Sequence, residues 1–434
     1  MTPRQFLSTY KYDSRLVTGK FFSSEPLQIE RGDKIGVVLL NLGGPNRKED
    51  VAPFLYNLFM DPAIIDIPLP AFLRNALCKY VSRKRSESVA KDYEMIGGGS
   101  PINRLTREQA ETLEVLLNDR YGDRAGVSFH TFIAMRYWHP FSEEAAAEMR
   151  RQGINKVVLL PLYPQYSKTT TGASLMYWWR LEQSGEIPKW DTTYVFEYAA
   201  NPKYVQSVSE RIDEALQRFP RPVRDNVQLI FSAHGTPVKE MKVRRDPYCC
   251  LIHSTVDRVM AHRGDDRPFH VSFQSKVGPA EWLTPSTPDK IEELAKAGHT
   301  ALLVVPIAFV TDHIETAYEL DIEVRAEAEQ FGVEHFEVTS GLNCHPLFIE
   351  ALGESVVSQL QLPGGVGTFN SEGDGSYALG RGDYPLRPLD SLPRFKAAER
   401  CVRCHQCPKI TEARRWDVSA EVPENRPSRT PPGG

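Results

Sequence analysis

The sequence predicts an α/β protein of two similar Rossmann-like lobes, each a parallel sheet flanked by helices, followed by a short C-terminal cysteine-rich extension. Three observations predict it. Short, continuously apolar runs alternate with longer amphipathic stretches. Three runs of the first half match three of the second in order and kind. A stretch rich in Gly, Pro and Asp then separates the last run from three closely spaced cysteines.

The first half holds "KIGVVLLNLGGP" (34–45), "VSFHTFIAMRYWHP" (127–140) and "KVVLLPLYPQYS" (156–167). The second holds "NVQLIFSAHGTP" (226–237), "FHVSFQSKVGP" (269–279) and "ALLVVPIAFVTD" (301–312). None alternates apolar with polar, as expected of strands buried on both faces of a parallel sheet. Each first run ends in glycine with proline close behind, each second ends in a proline-bearing turn, and each third carries a proline in mid-strand. "SEEAAAEMRRQG" and "TPDKIEELAKAGH" read as helices capped by Ser142 and Thr287 and closed by Gly153 and Gly298. Strand, helix, strand in alternation implies right-handed crossovers. The expected divisions are an N-terminal extension (1–33), two lobes (34–205 and 206–362), a flexible linker (363–395), a cysteine-cluster segment (396–417) and a disordered tail (418–434).

A chain of 434 residues exceeds what one core usually takes. Hydrophobic content of 41% and charged content of 25% are those of a soluble globular protein. With net charge −4 and no basic block, nucleic acid is not an expected partner. No Gly-x-Gly-x-x-Gly follows a strand and no Walker loop is present, so no nucleotide is expected. No apolar run approaches the ~20 residues of a spanning helix, and "MTPRQFLSTYKYDSRLVTGK" has no hydrophobic signal core. A cytoplasmic protein is the expectation. Seven cysteines, an odd number, argue against a disulfide framework.

Ligands of open α/β sheets sit beyond the carboxyl ends of the strands. Here those ends are residues 41–44, 136–139, 163–167, 232–235, 274–276 and 312–315, which two facing lobes would pool in one cleft. His234 ends a buried run just before Gly235 and Pro237; it reads either as a partner of a loop carbonyl or as a site imidazole. Asp312, His313 and Glu315 follow the last run within four positions. Glu319 and Glu323 repeat at i+4 steps, where like charges cost a few tenths of a kcal/mol per pair. A solvated face tolerates that, and a path for metal or protons would use it. Phe59, Tyr137, Trp138, Tyr163, Tyr166, Trp282 and Phe309 are each ordinary core residues. Together with Arg136 and Lys276 they suit a large flat ligand with anionic substituents.

From about residue 34 to 362 the chain resembles the ferrochelatase family, which inserts ferrous iron into protoporphyrin IX to make haem. The resemblance rests on "LNLGGP", "IGGGSPINRLT", "MRYWHP", "YPQYSKTTTGASL", "FSAHGTP", "RRDPY", "SFQSKVGPAEWL" and "PIAFVTDHIETAYELDIE", in the family's order. It implies a chelatase-like fold in which His234 and Glu315 are paired at the centre that handles the substrate iron. His313 stands beside them, Asp312 orients His313, and Glu319 and Glu323 form a route for protons or metal. Leu42, Phe59, Arg136, Tyr137, Tyr163, Ser275, Lys276, Trp282 and Phe309 match the porphyrin pocket. Glu94 and Met95 stand where some relatives carry arginines. "FMDPAIIDIPLPAFLRNAL" matches a pocket lip that faces lipid in membrane-associated members, which leaves room for a peripheral contact at the inner membrane; a homodimer is also compatible.

"CVRCHQCPK" sets Cys401, Cys404 and Cys407 at Cys-x2-Cys-x2-Cys spacing, half a zinc ribbon by itself. It resembles the extension by which some ferrochelatases ligate a [2Fe–2S] cluster. Animal members place the fourth ligand just after "YPQYS", where this chain has Lys168. The fourth thiolate is then sought among Cys78, Cys249, Cys250 and Cys344, with Cys249 or Cys250, in a loop after "RRDPY", as first choice. Two other readings stand beside iron insertion into protoporphyrin. One is a chelatase for coproporphyrin or a cobalt precursor, the other a non-catalytic haem or iron sensor.

Overall fold

A computed structural model describes residues 1–367 apart from 24, 66, 68 and 277–279. Its strands are β1 Leu27–Gln28, β2 Lys34–Asn41, β3 Ser128–Met135, β4 Lys156–Pro161, β5 Asp191–Tyr194, β6 Gln228–His234, β7 Phe269–Gln274, β8 Ala301–Pro306, β9 His335–Val338 and β10 Leu360–Gln361. Two wholly parallel four-stranded sheets result, ordered β3-β2-β4-β5 and β7-β6-β8-β9. The registers correspond: Leu39 lies between Ile133 and Leu160, and Phe231 between Val271 and Val305. Every residue of β8 is buried, and so is every residue of β2 after Lys34. Unbroken apolar runs are the sequence form of that double burial.

Both lobes therefore share one topology, as the matching runs predict. The prolines expected in mid-strand sit instead at the last strand positions, Pro161 and Pro306. A proline has no N–H for the ladder and is best placed where pairing ends. Each lobe also has a fourth, four-residue edge strand, β5 or β9, too short to stand out in the sequence. The helix caps lie one residue earlier than expected. The hydroxyl of Ser286 accepts from the Asp289 amide, and Phe141 occupies the cap before Ser142. Gly153 closes its helix in the left-handed region at φ +73°.

The largest of the core clusters runs through both lobes, with Val37, Leu39 and Phe129 of the first continuous with Leu229, Phe231 and Leu303 of the second. The helix Pro346–Val357, the last α-helix of the described residues, packs back on Ile102–Leu117 and Pro202–Leu216, and β10 pairs with β1, so the chain returns to the first lobe. Of the stretch expected as a linker, Pro363–Gly365 forms one tight helical turn. Residues 368–434, with Cys401, Cys404 and Cys407, lie outside the described residues.

Candidate active site

β6 ends at His234 and β7 at Gln274, side by side in register. Beyond β8 the chain turns through residues 307–314 into the helix Glu315–Val324. That helix is of the wide π type, closed by i to i+5 bonds, and π turns concentrate at functional sites. The three ends converge on one carboxylate. His234 Nδ1 lies 2.9 Å from Glu315 Oε2, which also accepts from Ser275 Oγ at 3.1 Å and Gln274 Nε2 at 3.3 Å. The other oxygen, Oε1, stands 3.7 Å from His313 Nε2.

These contacts fix protonation. Burial opposes the charge on Glu315, but the His234 and His313 rings outweigh it and hold the carboxyl well below its usual range. An ionised carboxylate only accepts, so His234 Nδ1 carries the hydrogen and the lone pair of neutral His234 resides on Nε2. Burial likewise opposes the imidazolium of His234, yet the Glu315 carboxylate prevails and raises the imidazole pKa above its ordinary value. The side chain of Glu315 is 16% exposed and that of His234 is 41%, so the carboxylate is sheltered while the imidazole opens to solvent.

Glu319 behaves oppositely to its neighbour. Burial, then repulsion from Glu315, pushes its carboxyl up to about 7. Ser275 Oγ lies 2.9 Å from Glu319 Oε2 and 3.1 Å from Glu315 Oε2. The Ser275 hydroxyl is within donating distance of both carboxylates; when Glu319 takes up a proton it donates to Ser275 Oγ in turn and leaves the Ser275 hydrogen for Glu315. Ser275 reaches both from a left-handed backbone, φ +62°. Glu323 follows on the same helix, its carboxyl raised by burial and by repulsion from Glu327 and Asp92.

The remaining expected residues divide. Phe309 stands edge-on to the His234 ring at 6.4 Å and tilted against His313 at 4.5 Å. Trp282 lies against Gly235, where an added Cβ would come within 3.1 Å of the indole and 2.7 Å of the Gln274 carbonyl. Only glycine lets that ring approach the strand end. Leu42, Phe59, Trp138 and Ile314 form a half-buried apolar wall over Phe54, Tyr93 and Tyr137. Lys276 is exposed and Tyr163 half-buried. Arg136 and Tyr137 turn inward: Arg136 Nη2 pairs with Asp61 at 2.7 Å, and the Tyr137 hydroxyl donates to the same oxygen at 2.9 Å. Arg136 is further covered by the rings of Phe6 and Tyr177.

Asp312 does not orient His313. Its oxygens accept from Thr316 Oγ1 and the Gly341 amide, each at 3.0 Å, and from Asn343 Nδ2 at 2.7 Å, which pins the start of the Glu315 helix. His313, 4% exposed, donates from Nδ1 to the Thr311 carbonyl at 3.1 Å. Cys249 and Cys250, expected in a loop, lie in the first turn of the helix Tyr248–His262 and are buried. Cys78 is also buried and Cys344 half-buried. Among the described residues no group of three or more His, Cys, Asp or Glu is arranged to hold a metal ion. Sequence reasoning misses Asp61, Gln109 and the role of Tyr248, whose partners are distant in the chain. Tyr248 falls in the quoted motif "RRDPY" and Asp61 in the quoted stretch "FMDPAIIDIPLPAFLRNAL", but neither stretch points to these partners.

Fold and site together define a two-lobed α/β protein with an imidazole–carboxylate pair at the strand ends of the second lobe. The ferrochelatase family model matches residues 34–360, and the chain belongs to the ferrochelatase family. The ferrochelatase of Synechococcus elongatus is 44% identical over 331 residues, 76% of this chain and 84% of its own. That of Gloeobacter violaceus is 42% identical over 330 residues, 75% of this chain and 98% of its own. Among solved structures, SirB from Bacillus subtilis with Fe3+ aligns at 13% identity and TM-score 0.44, covering 75% of this chain and 95% of its own.

Proposed function

We propose that the protein inserts ferrous iron into protoporphyrin IX, releasing two protons and forming protohaem in haem biosynthesis. The observation that carries this is the 2.9 Å contact between His234 and Glu315 in a chain of this family. Insertion requires two pyrrole N–H protons to leave as iron enters. His234 Nε2 is the free lone pair facing the cleft; it takes a proton or ligates iron, one at a time. Glu315 stabilises the imidazolium that proton acceptance creates. Ser275, donating to an ionised Glu319 while it accepts from Glu315, passes a proton to Glu319, which releases it toward Glu323 and solvent. The wall of Leu42, Phe59, Trp138 and Ile314 supplies the apolar face for the macrocycle, with Phe309 and Trp282 beside the reacting atoms.

The test is anaerobic turnover with protoporphyrin and ferrous iron. Haem formation is the expected result. Binding without turnover, or preference for coproporphyrin or for cobalt, overturns it.

Two further readings belong here. The tail motif supports a [2Fe–2S] cluster, but buried Cys249 and Cys250 do not fit as its fourth ligand. Cys344 is the described thiol that is not buried, and no step of the reaction is assigned to the cluster. Loss of the visible cluster spectrum in Cys344→Ala is expected; an unchanged iron-to-sulfide content contradicts it. A peripheral membrane contact is supported by Leu69, Phe72, Leu73, Leu77 and Tyr80, all exposed around the start of the helix Ala71–Met95. No helix among the described residues is long and apolar enough to cross a membrane. Flotation with lipid vesicles, lost in Phe72→Glu, is the expected outcome, and a wild-type protein that stays in solution refutes it.

A further inference from the structure

The backbone of His234 is held from two sides. The Gly235 amide donates to the Gln274 carbonyl at 2.8 Å, a tie within the sheet. The His234 carbonyl accepts from the Tyr248 hydroxyl at 3.0 Å. Tyr248 in turn donates its amide to Asp246 Oδ1 at 3.1 Å. Asp246 Oδ2 then accepts from Ser167 Oγ and the Lys168 amide, each at 2.9 Å. Ser167 and Lys168 follow β4 in the first lobe, whereas Asp246 and Tyr248 belong to the second.

This chain of contacts is buried throughout: Asp246 is 3% exposed, Lys168 1% and Tyr248 5%. Lys168 Nζ donates to the Ala63 carbonyl at 2.8 Å and lies 3.3 Å from Glu240 Oε2. Glu240 also pairs with Arg244 at 3.2 Å. Burying this many charges is a weak route to stability alone, since desolvation consumes most of the attraction. What the cluster does supply is a fixed distance between the lobes, delivered to the last residue of β6.

We propose that Tyr248 and Asp246 are positioning residues, which transmit the seating of the first-lobe loop at 167–168 to the His234 backbone. They thereby set where Nε2 stands relative to a ring held between the lobes. The inference rests on the role given above to His234. Neither residue touches the imidazole; both act through the peptide that carries it.

The test compares Tyr248→Phe and Asp246→Asn with wild type and with His234→Ala. Tyr248→Phe keeps the ring and removes one hydrogen bond, so kcat is expected to fall about threefold to tenfold. KM for protoporphyrin stays within about twofold, and the NMR resonances of the His234 ring shift. Asp246→Asn, if folded, moves kcat in the same direction. A folded Tyr248→Phe with wild-type kcat and unshifted His234 resonances overturns the proposal, even if its melting temperature falls. If His234→Ala retains activity, the functional reading fails instead. If His234→Ala is inactive while Tyr248→Phe matches wild type, only the positioning role fails.

Discussion

The two lobes have the same strand order and matching registers, yet their strand ends do different things. Asn41 and His234 are the last residues of β2 and β6, one register step apart, since Leu40 and Ser232 pair with the matching prolines Pro161 and Pro306. Asn41 is 4% exposed and spends its side chain internally, donating to Thr106 Oγ1 at 3.0 Å and accepting from the Leu42 amide at 2.8 Å. His234 leaves its ring 41% exposed and paired with Glu315. The first lobe's charged residue, Arg136, is locked onto Asp61, whereas the second lobe leaves Glu315 aimed at a titratable imidazole. On the proposed reading the first lobe supplies most of the wall and the second supplies the chemistry. A common backbone plan thus leaves the assignment of function to single side chains.

That contrast yields predictions of decreasing size. His234→Ala should lower iron insertion by about 10²- to 10⁴-fold, as expected for loss of a general base, with porphyrin affinity by fluorescence titration little changed. Asp61→Ala, on the wall side, should act on stability: leaving the Arg136 guanidinium buried and unpaired costs about 3–5 kcal/mol in urea denaturation. A first-lobe variant that kept its stability but lost turnover would break the division.

Glu315→Gln should reduce kcat about tenfold to hundredfold. It should also move the ascending limb of the pH–rate profile to lower pH, because burial then opposes the imidazolium against only the weaker pull of Glu319. Glu319→Gln should cost about threefold and remove an inflection near pH 7, where the wild-type carboxyl titrates. The sign for stability is opposite to that of a paired acid. A carboxyl raised on folding binds its proton more tightly in the native state, so wild-type stability falls as pH rises toward about 7. Glu319→Gln should therefore gain in melting temperature over wild type at pH 8 relative to pH 5.

Much of this was legible in the sequence because parallel sheets write themselves as unbroken apolar runs. The six long strands and the residues at their ends follow from that pattern, and His234 and Glu315 stand out as polar residues where burial stops. Edge strands such as β5 are too short and mixed to be read this way. Long-range partners escape for another reason. Gln109 is fully buried, accepts from Thr311 Oγ1 at 3.0 Å and donates to the Asn343 carbonyl at 3.0 Å, tying the first lobe to the loops around Glu315. Nothing in a helical "REQAE" announces a partner some two hundred residues away. Asp312 misleads because adjacency to His313 suggests contact, while the turn directs its carboxylate toward Gly341 and Asn343. The π form of the Glu315 helix is equally hidden, since residues at i and i+4 also share a face of an α-helix.

The most direct test of the central claim is a ring-nitrogen NMR titration of His234 in wild type and Glu315→Gln. The account predicts a wild-type pKa above the ordinary histidine value, with the hydrogen of the neutral ring on Nδ1 and the lone pair on Nε2, and a lower pKa in the variant. A neutral ring protonated on Nε2, or a pKa indifferent to the loss of Glu315, would contradict it.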